Sequence, residues 1–153
     1  MTPPSSGSDT REGLFLTFRL RGRLCALGIG DVSEIIEFAE PTGMPAAPEY
    51  LTGILNLRGR GLLVLDPASH FFGGRSVPSR TTCIVILQES GAADEPLCGV
   101  LVDSVHDVIS IPSGQMESAA EIATEFVDWF CPLGGEMAFV LKPDALRSLA
   151  RDR

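Results

Sequence analysis

The stretch "GILNLRGRGLLVLD", residues 53–66, sets Arg58, Arg60 and three glycines inside an otherwise apolar run. Charged side chains are costly to bury and glycine weakens a strand interior, so one continuous core strand is excluded. Two strands joined by a tight hairpin satisfy both constraints. The turn falls within Asn56–Gly61, where a permissive backbone reverses the chain, and the arginine lies at the exposed tip. "GLLVLD" (61–66) then reads as a buried strand. After it, Asp66 is a helix N-cap, Pro67 takes the first helical position and Gly73 ends a short helix.

Alternation and β-branched runs extend in both directions. "LFLTFRL" (14–20) turns through Arg21-Gly22-Arg23 into "RLCALGI", and "VSEIIEF" (32–38) continues as strand. "PEYLTGILNL" (48–57) opens on a proline suited to a helical turn before it becomes strand. "TTCIVIL", "LCGVLVDSVHDVISI", "EFVDWFCPL" and "EMAFVL" are further strands. Residues 112–124 form a connector with a short helix, and "KPDALRSLARDR" closes the chain as a helix. About ten short strands with only short helices define an all-β fold.

An internal repeat sharpens that class. "CALGIGDVSEII" (25–36) aligns with "CGVLVDSVHDVI" (98–109), pairing Cys25 with Cys98, Glu34 with Asp107 and Ile36 with Ile109. Three residues of drift later, "EYLTGI" (49–54) aligns with "EFVDWF" (125–130), and "LDPASHFF" (65–72) with "LKPDALRS" (141–148). Each copy is too small to hold much core alone, so two small barrels should pack together. The repeat puts Gly134 where Arg58 stands. The turn needs glycine-like freedom; it does not need the arginine.

Composition narrows function. The 153 residues suit one domain, and 44% hydrophobic with 21% charged residues is globular rather than disordered. A net charge of −8 argues against a general nucleic-acid binder. Lys142 is the one lysine, so positive charge is almost all arginine, the side chain suited to planar carboxylate pairing. Cys25, Cys83, Cys98 and Cys131 form no CxxC pair, and with two histidines they lack zinc-site spacing. They read as small buried hydrophobes in a reducing compartment, with no metal and no cofactor expected. Residues 1–12 read as a flexible tail, 13–149 as the folded unit and 150–153 as a second tail. The tail carries no basic n-region followed by an apolar stretch, and no apolar run approaches the ~20 residues of a membrane helix, so the cytoplasm is expected.

Catalytic signatures are missing: no nucleophile elbow, phosphate loop, dinucleotide fingerprint or HExxH is present. His106-Asp107 could form part of a relay, but an edge histidine satisfied by solvent is the simpler reading. Asp103 and Asp107 read as solvated strand positions. The features left over are Val32, Glu34 and Ile35 at the "GDVSEII" corner, with Gly53, Asn56 and Arg58 on the next strand and its turn. Together they would make one face with an apolar centre and an arginine at its edge, a pattern favoured in protein-binding hot spots. An internal salt bridge from Arg58 to Glu34 or Glu37 is an alternative that does not exclude docking. Two other classes remain open: a small enzyme using His106 or His70, and a sensor binding a small ligand in the cleft between barrels.

"LFLTFRLRGRLCALGIGDVSEIIEF", "MPAAPEYLTGILNLRGRGLLVLD" and "LCGVLVDSVHDVISIP" together resemble the CheW family of chemotaxis coupling proteins, over roughly residues 13–149. The Asn56-Leu57-Arg58-Gly59 turn is the most specific part. The resemblance implies two five-stranded SH3-like β-barrels around a shared core and no catalysis. It also implies coupling of chemoreceptors, the methyl-accepting chemotaxis proteins, to a CheA-type histidine kinase. The cytoplasmic tip of the receptor would dock on Val32, Glu34, Ile35, Gly53, Asn56 and Arg58 in a groove between the barrels, while the kinase-facing residues stay unassigned. "DPASHFFG" departs from the family's basic, leucine-containing helix after Asp66, and Lys142 stands where a neutral or acidic residue is usual.

Overall fold

The computed structural model describes residues 13–91, 95–119 and 124–151. The strands are β1 (Leu14–Leu20), β2 (Arg23–Gly28), β3 (Val32–Glu37), β4 (Leu51–Leu57), β5 (Arg60–Leu65), β6 (Cys83–Leu87), β7 (Leu97–Val102), β8 (Ser104–Ser110), β9 (Glu117–Ser118), β10 (Val127–Leu133) and β11 (Glu136–Leu141). Helix α1 (Pro67–Phe72) follows β5 and α2 (Pro143–Arg151) follows β11. The first-half helix forms as its caps dictate: the Asp66 carboxylate accepts from the Ser69 N–H at 3.3 Å, and Gly73 closes the end at φ 82°.

The strands build two sheets, ordered β8-β1-β2-β11-β10-β9 and β3-β6-β7-β5-β4. The repeat is written into this order. Replacing β3, β7, β5 and β4 of the five-stranded sheet by their repeat partners β8, β2, β11 and β10, with β1 in the place of β6, reproduces the first five strands of the other. Both sheets even contain the same parallel contact, β5 with β7 and β11 with β2, amid antiparallel neighbours. The copies are interleaved, however. β1 and β2 belong to the first half of the chain but pair with β8 and β11 of the second, while β3 crosses to β6. Neither half could complete its sheet without the other.

Period-two alternation then divides each strand between two interiors. In the five-stranded sheet, Leu62 and Val64 of β5 and Ile84 and Ile86 of β6 pack into a local core with Ile36, Phe38, Leu55 and Leu57. Those last four come from the two outermost strands and the residue after β3, so the sheet is rolled about this core. Phe15, Ala26, Cys131, Ala138 and Val140 fill the equivalent interior of the six-stranded sheet. The opposite faces meet in a larger shared core, where Leu16, Phe18, Leu20, Leu63, Leu65, Val85 and Val100 pack with Leu146 and Leu149 of α2. Side chains of the protein thus pack most of the space between the sheets, leaving one cavity at its edge beside α1.

Some expectations need adjustment. The β1–β2 turn is Arg21-Gly22 alone, since Arg23 already pairs with Leu20. Residues 48–50 make one hydrogen-bonded turn, Leu51 N–H to the Pro48 carbonyl at 3.0 Å, before β4 begins. The connector holds a short 3-10 turn at Ser113–Gln115 and then β9; residues 120–123 lie outside the described residues, as do 1–12. α2 runs through Arg151 with Ala150 buried, past the expected boundary at 149. Asp103 is not a solvated strand position: it sits between β7 and β8, and its carboxylate accepts from the Gly22 N–H at 3.0 Å.

Candidate functional site

The β4–β5 hairpin reverses through two residues, Arg58 (φ 50°) and Gly59 (φ 87°), both in the left-handed region as a type I′ turn requires. The Asn56 side-chain carbonyl accepts from the Gly59 N–H at 2.8 Å and fixes the turn from inside. The β10–β11 hairpin does the same with Gly134 (φ 56°) and Gly135 (φ 87°). An L-residue in this conformation costs about 1 kcal/mol that glycine avoids. Arg58 therefore stands where the backbone alone would select glycine.

Its guanidinium reaches across the roll to β3. Nη2 of Arg58 lies 2.6 Å from Oε1 of Glu34, and Nη1 lies 3.4 Å from Oε2, a forked pair that raises the Arg58 pKa through the hydrogen bond. The pair joins β3, one outermost strand, to the turn at the end of β4, the other, and so marks the seam of the roll. With 68% of the Arg58 side chain exposed, water screens the interaction and its stabilising value is small. A second exposed pair adjoins the turn, Arg60 to Glu89 at 3.1 Å, and holds the Glu89 carboxyl below its ordinary range.

Two apolar side chains lie outside the roll on the strands flanking this seam. Ile35 of β3 is 40% exposed and Ile54 of β4 is 36% exposed, whereas Ile36 and Leu55 beside them turn inward. Ile54 was legible in principle, as an apolar residue at an outward register of β4. Thr52 and Asn56 mark that register as outward, but Ile54 between them matches its inward neighbours Leu55 and Leu57 in character. The Arg60–Glu89 pair joins residues far apart in the chain, and no local pattern announces it.

The remaining expected site residues serve other purposes locally. Val32 packs against the shared core. Gly53 is buried, and a Cβ there would run into the Thr42 carbonyl and the Pro41 ring. The close approach lets the chain returning from β3 pair with β4, through Thr42 N–H to the Ile54 carbonyl at 3.0 Å and Ile54 N–H to the Thr42 carbonyl at 2.9 Å. Gly53 and Asn56 therefore shape the surface, while Glu34, Ile35 and Arg58 present side chains on it.

The histidines assemble no relay among the described residues. His106 Nε2 meets Ser104 Oγ at 3.0 Å rather than Asp107, whose backbone exchanges hydrogen bonds with the Thr17 hydroxyl. His70 stands edge-on to Tyr50 and Phe126, ring centroids 5.2 and 5.4 Å away. All four cysteines are free thiols, and burial pushes Cys25 up to about 12. No helix among the described residues is long and apolar enough to cross a membrane.

Comparison with known proteins places these features in a family. Residues 14–150 match the CheW-like domain. The chain is 28% identical over 111 residues to the chemotaxis protein CheW of Rhizobium meliloti, covering 72% of this chain and 69% of that one. It is 28% identical over 138 residues to the chemotaxis protein CheW of Klebsiella aerogenes, covering 88% and 81%. Among solved structures, the scaffolding protein TtCheW from Thermoanaerobacter tengcongensis superposes with a TM-score of 0.75 at 30% identity, over 85% of this chain and 88% of that one.

Proposed function

This chain belongs to the CheW-like domain family, and from that premise we propose that it is a chemotaxis-type signalling adaptor. It couples a chemoreceptor to a CheA-type histidine kinase by protein contacts alone, without catalysis or cofactor, in the cytoplasm beside membrane-held receptor arrays. An adaptor must hold both partners at once, because bridging gains from effective concentration only when both contacts form together. Each contact can then be modest, at a Kd of about 1 μM or ~−8 kcal/mol.

One observation carries the docking assignment: Arg58 keeps an arginine where the equivalent hairpin uses Gly134, and spends it on an exposed pair with little stabilising value. A largely exposed arginine held in place by Glu34 is the kind of anchor a partner surface selects. In this reading the receptor tip contacts Glu34, Ile35 and Arg58, with Ile54 extending the apolar part. Val32, Gly53 and Asn56 hold that surface in shape.

The test is binding of the purified protein to receptor-bearing vesicles and, separately, to a CheA-type kinase. Arg58→Ala should weaken receptor binding at least about tenfold with an unchanged thermal midpoint. Unimpaired receptor binding by that variant would remove Arg58 from the receptor site, and selective loss of kinase binding would reassign the surface to the kinase. Failure of receptor and kinase to assemble together on the wild-type protein would end the adaptor reading itself.

A further inference from the structure

A cavity of about 240 Å³ opens between the β1–β2 hairpin, α1 and β11, and none of its lining residues belongs to the Glu34–Arg58 surface. Its wall is almost wholly apolar: Leu20 and Cys25 from the hairpin, Phe71 from α1, Phe126, and Phe139 and Leu141 from β11. An apolar cavity of about 150 Å³ is enough to take up benzene, so this one has room for a ring and a short chain. The two sides of the cavity are tied together. Arg21 donates to the Gly73 carbonyl at 3.0 Å and to the Gly74 carbonyl at 2.9 Å, which anchors the end of α1 to the hairpin tip.

Among the described residues the one charged group lining the cavity is Arg23, which is exposed and sets its guanidinium carbon 4.2 Å from the ring centroid of Phe72. A cation–π contact consumes none of the guanidinium's N–H donors, and that fork can grip a carboxylate with two bonds. Among the described residues, their one hydrogen-bond partner is the Arg21 carbonyl, at a long 3.4 Å. By contrast Arg19, Arg58, Arg60, Arg147 and Arg151 each pair with a carboxylate. Cys25 adds no opposing charge, since burial keeps its thiol protonated. An aromatic chamber beside one unneutralised arginine, in a chain of net charge −8, is matched to a ligand with the converse pattern.

We infer that this cavity binds a small amphipathic anion, an aromatic or aliphatic body bearing one carboxylate, with the body among Phe71, Phe126 and Phe139 and the carboxylate on Arg23. The site does not depend on the adaptor reading, and its test uses neither receptor nor kinase. The probe is 4-phenylbutyrate, titrated calorimetrically into the full chain with amide NMR to locate the contact, and 4-phenylbutanol serves as the neutral control. Phenylbutyrate should bind one equivalent with a Kd below about 1 mM and shift the amides of Arg23, Phe71 and Phe139. Arg23→Gln should weaken the carboxylate about tenfold and leave the alcohol unchanged, whereas Phe72→Ala should weaken both. The inference is overturned by absence of saturable binding, by equal affinity for acid and alcohol, by an Arg23→Gln protein that binds the acid undiminished, or by shifts confined to the Glu34–Arg58 surface.

Discussion

The β4–β5 and β10–β11 hairpins hold equivalent places in the two sheets and are nearly the same object as backbone. Both reverse through two left-handed residues, and both bulge at the same register, between Leu51 and Gly53 in one and Val127 and Trp129 in the other. As chemistry they differ. One tip carries Arg58 bridged to Glu34 and the other carries Gly134, while the inner position is Gly53 in one hairpin and Trp129 in the other. Shared backbone marks what the fold requires of any side chain at these positions. The divergent side chains mark what each sheet must accommodate: a crossing segment at Gly53 and, in the proposed function, a partner at Arg58.

The largest way to break the comparison is at Gly53. Gly53→Ala must displace the Pro41–Thr42 backbone, and we expect it to cost about 3 kcal/mol and to lower Tm by roughly 10 °C in chemical and thermal unfolding. A wild-type midpoint would mean that the crossing segment is not held against β4. Next comes the pair Ala26 and Gly99, equivalent by the repeat. A Cβ on Gly99 would meet Ile84 Cγ2 at 2.6 Å inside the local core. Gly99→Ala should therefore destabilise by about 1–3 kcal/mol, although its counterpart tolerates the methyl group. Urea midpoints that rise for Gly99→Ala would contradict the packing described for the five-stranded sheet.

Arg58→Gly makes the two hairpin tips alike. It relieves the left-handed arginine and should raise stability by less than about 1 kcal/mol, while receptor binding falls as far as in Arg58→Ala. A protein that is both less stable and fully competent to bind would invert our account of this residue. The smallest effect concerns acid. Hydrogen bonds from Arg19 hold Glu136 below the ordinary glutamate range. A carboxyl depressed in the folded state contributes stability above its unfolded pKa and loses it as pH falls through the folded value. Glu136→Gln should thus flatten the decline in stability between about pH 5 and 3, read from urea midpoints across that range, and lower the neutral-pH midpoint by that same small amount while leaving the midpoint at about pH 3 unmoved.

Much of this architecture was legible from local pattern. The cap Asp66-Pro67, the stop at Gly73, the alternation in "TTCIVIL" and the glycine-bearing turns act over a few residues, and each formed where its chemistry pointed. The repeat was legible as well, down to the alignment of Arg58 with Gly134, because equivalent backbone positions impose equivalent demands on apolar and turn residues. The interleaving was not. Nothing in "LFLTFRL" says that its partner across the ladder is "SVHDVIS" rather than "VSEIIEF", because both are alternating strands of similar length. At the candidate site the sequence supplied Glu34 and Arg58 as alternative partners for each other; the rolled sheet brought them together.

By itself the sequence determined the all-β class, the two-fold repeat, the hairpin turns and the surplus arginine at position 58, since period-two patterning and turn stereochemistry are properties of neighbours along the chain. Tertiary structure alone decided the exchange of strands between halves, the burial of Gly53 beneath Thr42, the outward placement of Ile54 and the aromatic cavity under Arg23. These depend on contacts between residues distant in sequence, where many pairings satisfy the local pattern and only the packing of the whole selects one.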